Sequence, residues 1–242
     1  MQKPLKILVV RFSSIGDIVL TTPVIRCLKQ QIKGSEIHFL TKKSYAAVLQ
    51  YNPYIDKLHF WEKSNKKKII INLQLQNFDY VIDLHSNLRT QMLKLRLGVP
   101  SKSFNKLNME KFMLTTFKLD SMPKVHIVDR YLETVKYLGI KNDNDGLDFF
   151  LSATDKVEIS IFPKDYIVFV IGGQHATKIL PNEKIISIIK KVNKPVLLIG
   201  GPEDFERGEQ IVANTINTLN TCGKYSVLQS ASLIQQANMV IT

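Results

Sequence analysis

The chain has 242 residues, 45% of them hydrophobic and 22% charged, an ordinary globular composition long enough for one large or two smaller cores. No apolar run approaches the roughly 20 residues that cross a bilayer, the N-terminus lacks a signal-peptide layout, and Cys27 and Cys222 stand far apart without a metal-ligand spacing. No membrane-spanning helix is predicted, a zinc reading of Asp83 and His85 is weak because the five histidines are scattered, and the thiols are expected to be reduced core residues of a cytosolic protein. The formal charge is +12, and between Lys57 and Lys124 thirteen basic residues face five acidic ones, which implies an anionic partner: nucleic acid, an acidic membrane surface or a phosphorylated acceptor.

The apolar residues Ile7 to Val10, with Leu5, form a run too continuous for a half-exposed strand and predict a buried parallel strand. Arg11-Phe12-Ser13-Ser14 forms a polar turn, and from Gly16-Asp17 onward apolar residues recur at helical spacing. Ligands of open α/β sheets sit at the carboxyl ends of strands, so Ser13, Ser14, Gly16 and Asp17 are placed for chemistry. Ser14 and Asp17 fit a simple helix cap equally well, and the residues leave both roles open.

Strand-like and helix-like runs then alternate. Residues 35–40 and 56–61 predict strands, 44–50 and 66–76 helices, and 78–84 a buried strand followed by a polar turn and a helix over 88–97. Such alternation with short connections predicts a doubly wound parallel sheet. His85, Asn87 and Arg89 lie at the second strand end, where they can hydrogen-bond sugar hydroxyls or an acceptor phosphate; a capped turn with a satisfied histidine is the plainer alternative. Residues 104–119 interleave lysines with aromatic and aliphatic residues. Such a stripe usually packs on the core, and its alternative is a membrane interface. A helix follows over 125–139, ended by Gly139. Residues 141–148 are linker-like, and Asp143-Asn144-Asp145 reads as a loop rather than a metal site.

A second α/β unit begins at Tyr166, with the domain boundary placed so that 1–155 and 156–242 form the two halves. Strand 166–171 leads into the loop Gly172-Gly173-Gln174-His175-Ala176-Thr177-Lys178, and a helix is expected from Pro181. The glycines allow backbone amides to approach a phosphate, and Lys178 supplies a full charge. A P-loop is excluded, because Thr177 stands where its second glycine belongs and Ile179 where its hydroxyl residue belongs. Strand 195–199, a loop carrying Glu203, a further helix, the turn 221–226 and a last strand from Asn238 complete the chain.

The run RFSSIGDIVLTTPVIRCLK resembles the N-terminal signature of glycosyltransferase family 9, the ADP-heptose:lipopolysaccharide heptosyltransferases. The resemblance implies a GT-B type fold of two Rossmann-like α/β domains facing a cleft. It implies an inverting enzyme in which Asp17 is the catalytic base, the 83–89 turn lies on the acceptor side, and Lys178 meets the nucleotide diphosphate. Glu203 then matches the residue that meets the ribose, and Tyr225 the position beside the adenine. His126, Asp129 and Arg130 resemble the helix that faces the cleft from the first domain. Ile179-Leu180 departs from the family, where an aromatic often precedes the proline. The donor is expected to be an ADP-sugar with no metal cofactor. The acceptor is expected to be an anionic glycolipid met at the cytoplasmic face of the inner membrane, with peripheral membrane contact and no nucleic acid. The family continues past the last strand with an Asp-Thr/Ser-Gly loop, so a truncated, poorly active form with an incomplete second domain is expected. The rivals are a transferase using another nucleotide sugar and a basic nucleic-acid-binding protein, but no RRM, KH or zinc-finger signature is present. A nucleophile-elbow hydrolase is disfavoured, since the chain has no G-x-S-x-G.

Overall fold

The computed structural model describes residues 4–173 and 176–242. The chain divides into two compact units, Met1–Phe150 and Leu151–Thr242.

In the first unit, β1 (Lys6–Val10), α1 (Ile15–Val19), α2 (Thr22–Gln31), β2 (Glu36–Thr41), β3 (Lys57–Phe60), α3 (Lys66–Gln74), β4 (Tyr80–Asp83), α4 (Leu88–Leu97), β5 (Ser101–Ser103), α5 (Asn108–Phe117) and α6 (Ile127–Leu132) follow in order. The strands form one parallel sheet in the order β3-β2-β1-β4-β5. The continuous apolar character of β1 follows from burial on both faces. Ile7 and Val9 pack with Val24, Ile25 and Leu28 of α2 and Tyr131 of α6, while Leu8 and Val10 pack with Ile70 and Leu73 of α3 and Leu93 of α4. The chain leaves β1 toward β2 on one side and returns to β4 on the other. The loops after β1 and β4 therefore stand side by side at a point where such sheets open a crevice.

The helix expected from Gly16 onward is broken after Val19. Pro23 sits in the first turn of α2, and the hydroxyls of Thr21 and Thr22 donate to the carbonyls of Ile18 and Val19, closing one helix and starting the next. The 125–139 helix is likewise shorter, ending as α6 at Leu132 before a 3₁₀ turn over Lys136–Leu138, with Gly139 at φ +79 closing it.

One expectation is corrected in part. Phe104 and Leu107 are buried just before α5 begins, but no residue of α5 is buried, and Met109, Phe112, Leu114 and Phe117 face outward. The piece at 141–148 is a loop, as expected, and it is also clamped to α2. Arg26 of α2, only 3% exposed, holds Asp143 through two nitrogens at 2.7 and 2.8 Å, Asp148 at 2.5 Å and the Gly146 carbonyl at 3.0 Å. The hydrogen bonds to Asp143 and Asp148 hold the arginine pKa above its ordinary value, and the same contact holds Asp143 well below the usual carboxylate range.

The second unit contains β6 (Ile167–Val170), α7 (Asn182–Ile189), β7 (Val196–Ile199), α8 (Phe205–Val212), β8 (Thr218–Asn220), α9 (Val227–Gln236) and β9 (Met239–Ile241), its parallel strands ordered β8-β7-β6-β9. Phe169, Val196 and Leu198 pack on α7 and α8 through Ile185, Ile189 and Ile211, while Val168, Leu197 and Ile199 pack on α9 through Leu233. Here too the sheet is covered on both faces, and the crossover reverses between β6 and β9. Both cysteines are free and buried, with burial pushing each thiol up to about 11.

Candidate active site

The first unit gathers its polar residues where β1, β4 and β5 end. Arg11 is 8% exposed, and a buried guanidinium must find partners. It donates to the Ser13 carbonyl at 2.7 Å, the Leu84 carbonyl at 2.7 Å and the Tyr131 hydroxyl at 3.0 Å, and it pairs with Asp17 Oδ2 at 2.7 Å. This one side chain ties the loop after β1 to the loop after β4 and to α6.

Asp17 stands half-buried in the first turn of α1. Its Oδ2 also accepts from Ser14 N at 3.2 Å and Ser14 Oγ at 2.9 Å, so the carboxylate does cap the helix as well as pairing with Arg11. Among the described residues no protein donor reaches Oδ1. Burial pushes the Asp17 pKa up, but the Ser14 hydrogen bonds and the Arg11 charge outweigh it and hold the carboxyl below its ordinary value. Gly16 is exposed, with open space where a Cβ would project.

The 83–89 turn is organised by buried Asp83. Its Oδ1 accepts from the backbone of His85 at 3.1 Å and Ser86 at 2.7 Å, and its Oδ2 pairs with Lys94 at 3.1 Å. His85 lies 5.0 Å from the Phe12 ring, and its Nδ1 is buried without a partner among the described residues. Burial, then the Arg11 and Lys106 charges, lower the His85 pKa to about 4, so the ring is neutral at pH 7. Asn87 caps α4, its carboxamide oxygen accepting from Thr90 N at 3.1 Å, which leaves its NH₂ group and one oxygen lone pair for a ligand. Arg89 lies over the Phe12 ring at 5.6 Å. Arg130 lies over Phe104 at 4.9 Å and donates to the Asn105 carbonyl, while Asp129 accepts from Asn142 and His126 caps α6. Asp17, Ser13, Ser14, His85 and Arg89 thus belong to one neighbourhood, built on Arg11 and Phe12.

In the second unit, the loop after β6 carries Gly172, Gly173, Thr177 and Lys178; Gln174 lies outside the described residues. Thr177 and Lys178 are exposed in a 3₁₀ turn over Ala176–Lys178. Among the described residues neither the Gly172 nor the Gly173 amide has an internal acceptor. Gly172 is required by its neighbour: a Cβ there would lie 2.6 Å from Asp204 Oδ2. Asp204 is buried after β7 and accepts from Gly201 N at 2.9 Å. Glu203 beside it is exposed, and Tyr225 is half-buried with its ring 6.3 Å from Phe162. Arg207 of α8 closes the base of the β6 loop, donating to the carbonyls of Ile171, at 2.7 Å, and Leu180 and to Asn182 Oδ1 at 2.7 Å. Glycine amides, a lysine and the following helix make this loop suited to a diphosphate.

Sequence reasoning missed Arg11, Tyr131, Lys106, Asp204 and Arg207. Arg11 was detectable, since an arginine ending a buried strand needs partners. Arg207 was not, because its acceptors lie 25 to 36 residues away in sequence.

The fold is shared with solved glycosyltransferases. A glycosyltransferase family 9 protein from Veillonella parvula superposes with a TM-score of 0.81 at 22% identity, covering 100% of this chain and 77% of that one. Escherichia coli heptosyltransferase WaaC, solved with ADP, superposes at 0.73 and 20% identity, covering 98% of this chain and 80% of that one. In sequence, lipopolysaccharide heptosyltransferase 1 of Campylobacter coli is 22% identical over 266 residues, spanning 98% of this chain and 78% of the relative. Two Rossmann-like units of this kind are the fold of GT-B proteins. The family model for glycosyltransferase family 9 (heptosyltransferase) matches residues 67–242, and the chain belongs to that family.

Proposed function

We propose that the protein transfers a heptose, or a closely similar sugar, from an ADP-sugar to a lipopolysaccharide-core or related anionic glycan, with inversion at the transferred carbon. The observation that carries this reading is the Asp17 carboxylate, anchored through Oδ2 by Arg11 and Ser14, with no protein donor to Oδ1 among the described residues. Oδ1 takes the proton of the acceptor hydroxyl as the new glycosidic bond forms. ADP is a good leaving group, so one base suffices and no general acid is needed. Lys178 and the Gly172 and Gly173 amides stabilise charge developing on the departing diphosphate. Glu203 and Tyr225 hold the nucleoside, with Gln174 and Thr177 in the same donor loop. Ser13, Ser14, Gly16, His85, Asn87 and Arg89 hold the acceptor on the first unit.

The donor assignment draws on WaaC, solved with ADP and with ADP-2-deoxy-2-fluoro heptose, and the acceptor assignment on the names of the relatives and on the basic 57–124 span. The scheme requires no metal, and it places the protein at the cytoplasmic face of a membrane. Thermal-shift screening tests the donor. A rise in Tm with ADP but not with UDP or GDP is expected, and preference for UDP or GDP would assign the protein to a different nucleotide-sugar transferase.

A further inference from the structure

The loop after β6 has two ends, and one side chain holds both. Arg207 of α8 donates from Nη1 to the carbonyl of Ile171, the residue before Gly172, at 2.7 Å, and from Nη2 to the carbonyl of Leu180, two residues after Lys178. Its Nε donates to Asn182 Oδ1, at the start of α7, at 2.7 Å. A planar fork of donors meets three acceptors in one fixed geometry, which a lysine ammonium on a flexible stem does not reproduce. All three acceptors are neutral, and among the described residues Arg207 makes no ion pair. Its unit charge is therefore not cancelled at the base of a loop suited to an anion.

The helix that presents Arg207 is itself fixed. Gly208, the next residue, is buried, and a Cβ there would stand 2.3 Å from Asn220 Oδ1. Asn220 ends β8; its Nδ2 donates to the Phe205 carbonyl at 2.9 Å and to Glu209 Oε1 at 2.7 Å, while its Oδ1 accepts from Cys222 N at 3.1 Å. These contacts fix α8 against β8, so Arg207 reaches the β6 loop from a rigid element. We propose that Arg207 is the positioning residue of the diphosphate loop. By holding the carbonyls on either side of Gly172, Gly173 and Lys178 it presets the loop for a nucleoside diphosphate, and its charge favours that anion. A preset loop loses little conformational freedom when the ligand arrives, so the fork raises affinity without touching the ligand. The proposal rests on the reading of this loop as the donor site, and the measurements below tell the two failures apart.

The experiment compares wild type, Arg207→Lys, Asn182→Ala and Lys178→Ala by proton-nitrogen correlation spectra without ligand and by calorimetric titration with ADP. Arg207→Lys keeps the charge and loses the fork. It is expected to shift the Gly172 and Gly173 amide signals, to leave those of the core residues Leu197 and Leu233 in place, and to weaken ADP binding about tenfold. Asn182→Ala removes one acceptor and is expected to move the same glycine signals and weaken ADP binding about threefold. If the core signals of Arg207→Lys also move, Asn182→Ala decides by the same two readings. Glycine signals or ADP affinity unchanged in both variants, beside a loss of affinity in Lys178→Ala, overturns this proposal alone, and so does displacement of the core signals in both. Absence of ADP binding in wild type, or Lys178→Ala binding ADP as wild type does, overturns the donor reading of the loop and this proposal with it.

Discussion

Asp17 is held as an anion by the same contacts that aim it. Its pKa lies below the ordinary 3.8, so basicity contributes little and positioning must contribute more. Ionised Asp17 is the active form in this scheme, and kcat/KM is therefore expected to stay flat as pH falls from 8 to 5, with its acid limb below about 4. A limb above pH 5 in the wild type would remove Asp17 from the role. Arg11→Gln takes away one of the interactions that lower the Asp17 pKa, so the acid limb should move upward in that variant even if overall activity drops. Asp17→Asn is expected to reduce the transfer rate by about a hundredfold or more with ADP affinity unchanged. Transfer within tenfold of wild type would show that another group takes the proton.

Between elements, two buried polar clusters should dominate stability. Arg26→Ala leaves Asp143 and Asp148 without their shared cation at the seam between α2 and residues 141–148. A loss of about 3 kcal/mol in urea unfolding is expected, and an unchanged midpoint would contradict the clamp. Across the first sheet, Glu36 of β2 accepts from His38 Nε2 at 2.6 Å, which leaves His38 Nδ1 to accept from His59 Nε2 of β3 at 2.9 Å when the ring is neutral. Burial, then the His38 and Lys57 charges, lower His59 to about 4. The unfolded chain takes up that proton near 6.5, so between 6.5 and 4 it binds more protons than the folded state. Stability is therefore complete above 6.5 and falls as pH drops through that window. Tm measured from pH 7 to 4.5 should decline, and His59→Gln should flatten part of the slope.

For the whole molecule, the two units are expected to divide the work. Lys178→Ala should weaken ADP binding about tenfold, read by calorimetry, while leaving the pH profile of transfer in place, whereas Asp17→Asn should do the converse. Much of the architecture was legible because the central strands of these sheets are buried on both faces and therefore spell continuous apolar runs, as in residues 7–10, 167–170 and 196–199. The RFSSIGD turn and the glycine-lysine loop were legible for a related reason: local backbone geometry at strand ends restricts which residues can stand there. Residues 104–119 misled because helical periodicity does not say whether an apolar face is covered, and residues 141–148 read as a loop without disclosing the buried arginine that holds it. The amino-acid sequence alone determined the family, the alternation of strands and helices and the loops that carry Asp17 and Lys178, since these depend on neighbours in the chain. Only the tertiary structure decided that Arg11 ties Asp17 to Leu84 and Tyr131, that Arg26 gathers two distant carboxylates, and that α5 stays uncovered, because those outcomes depend on how segments far apart in sequence pack.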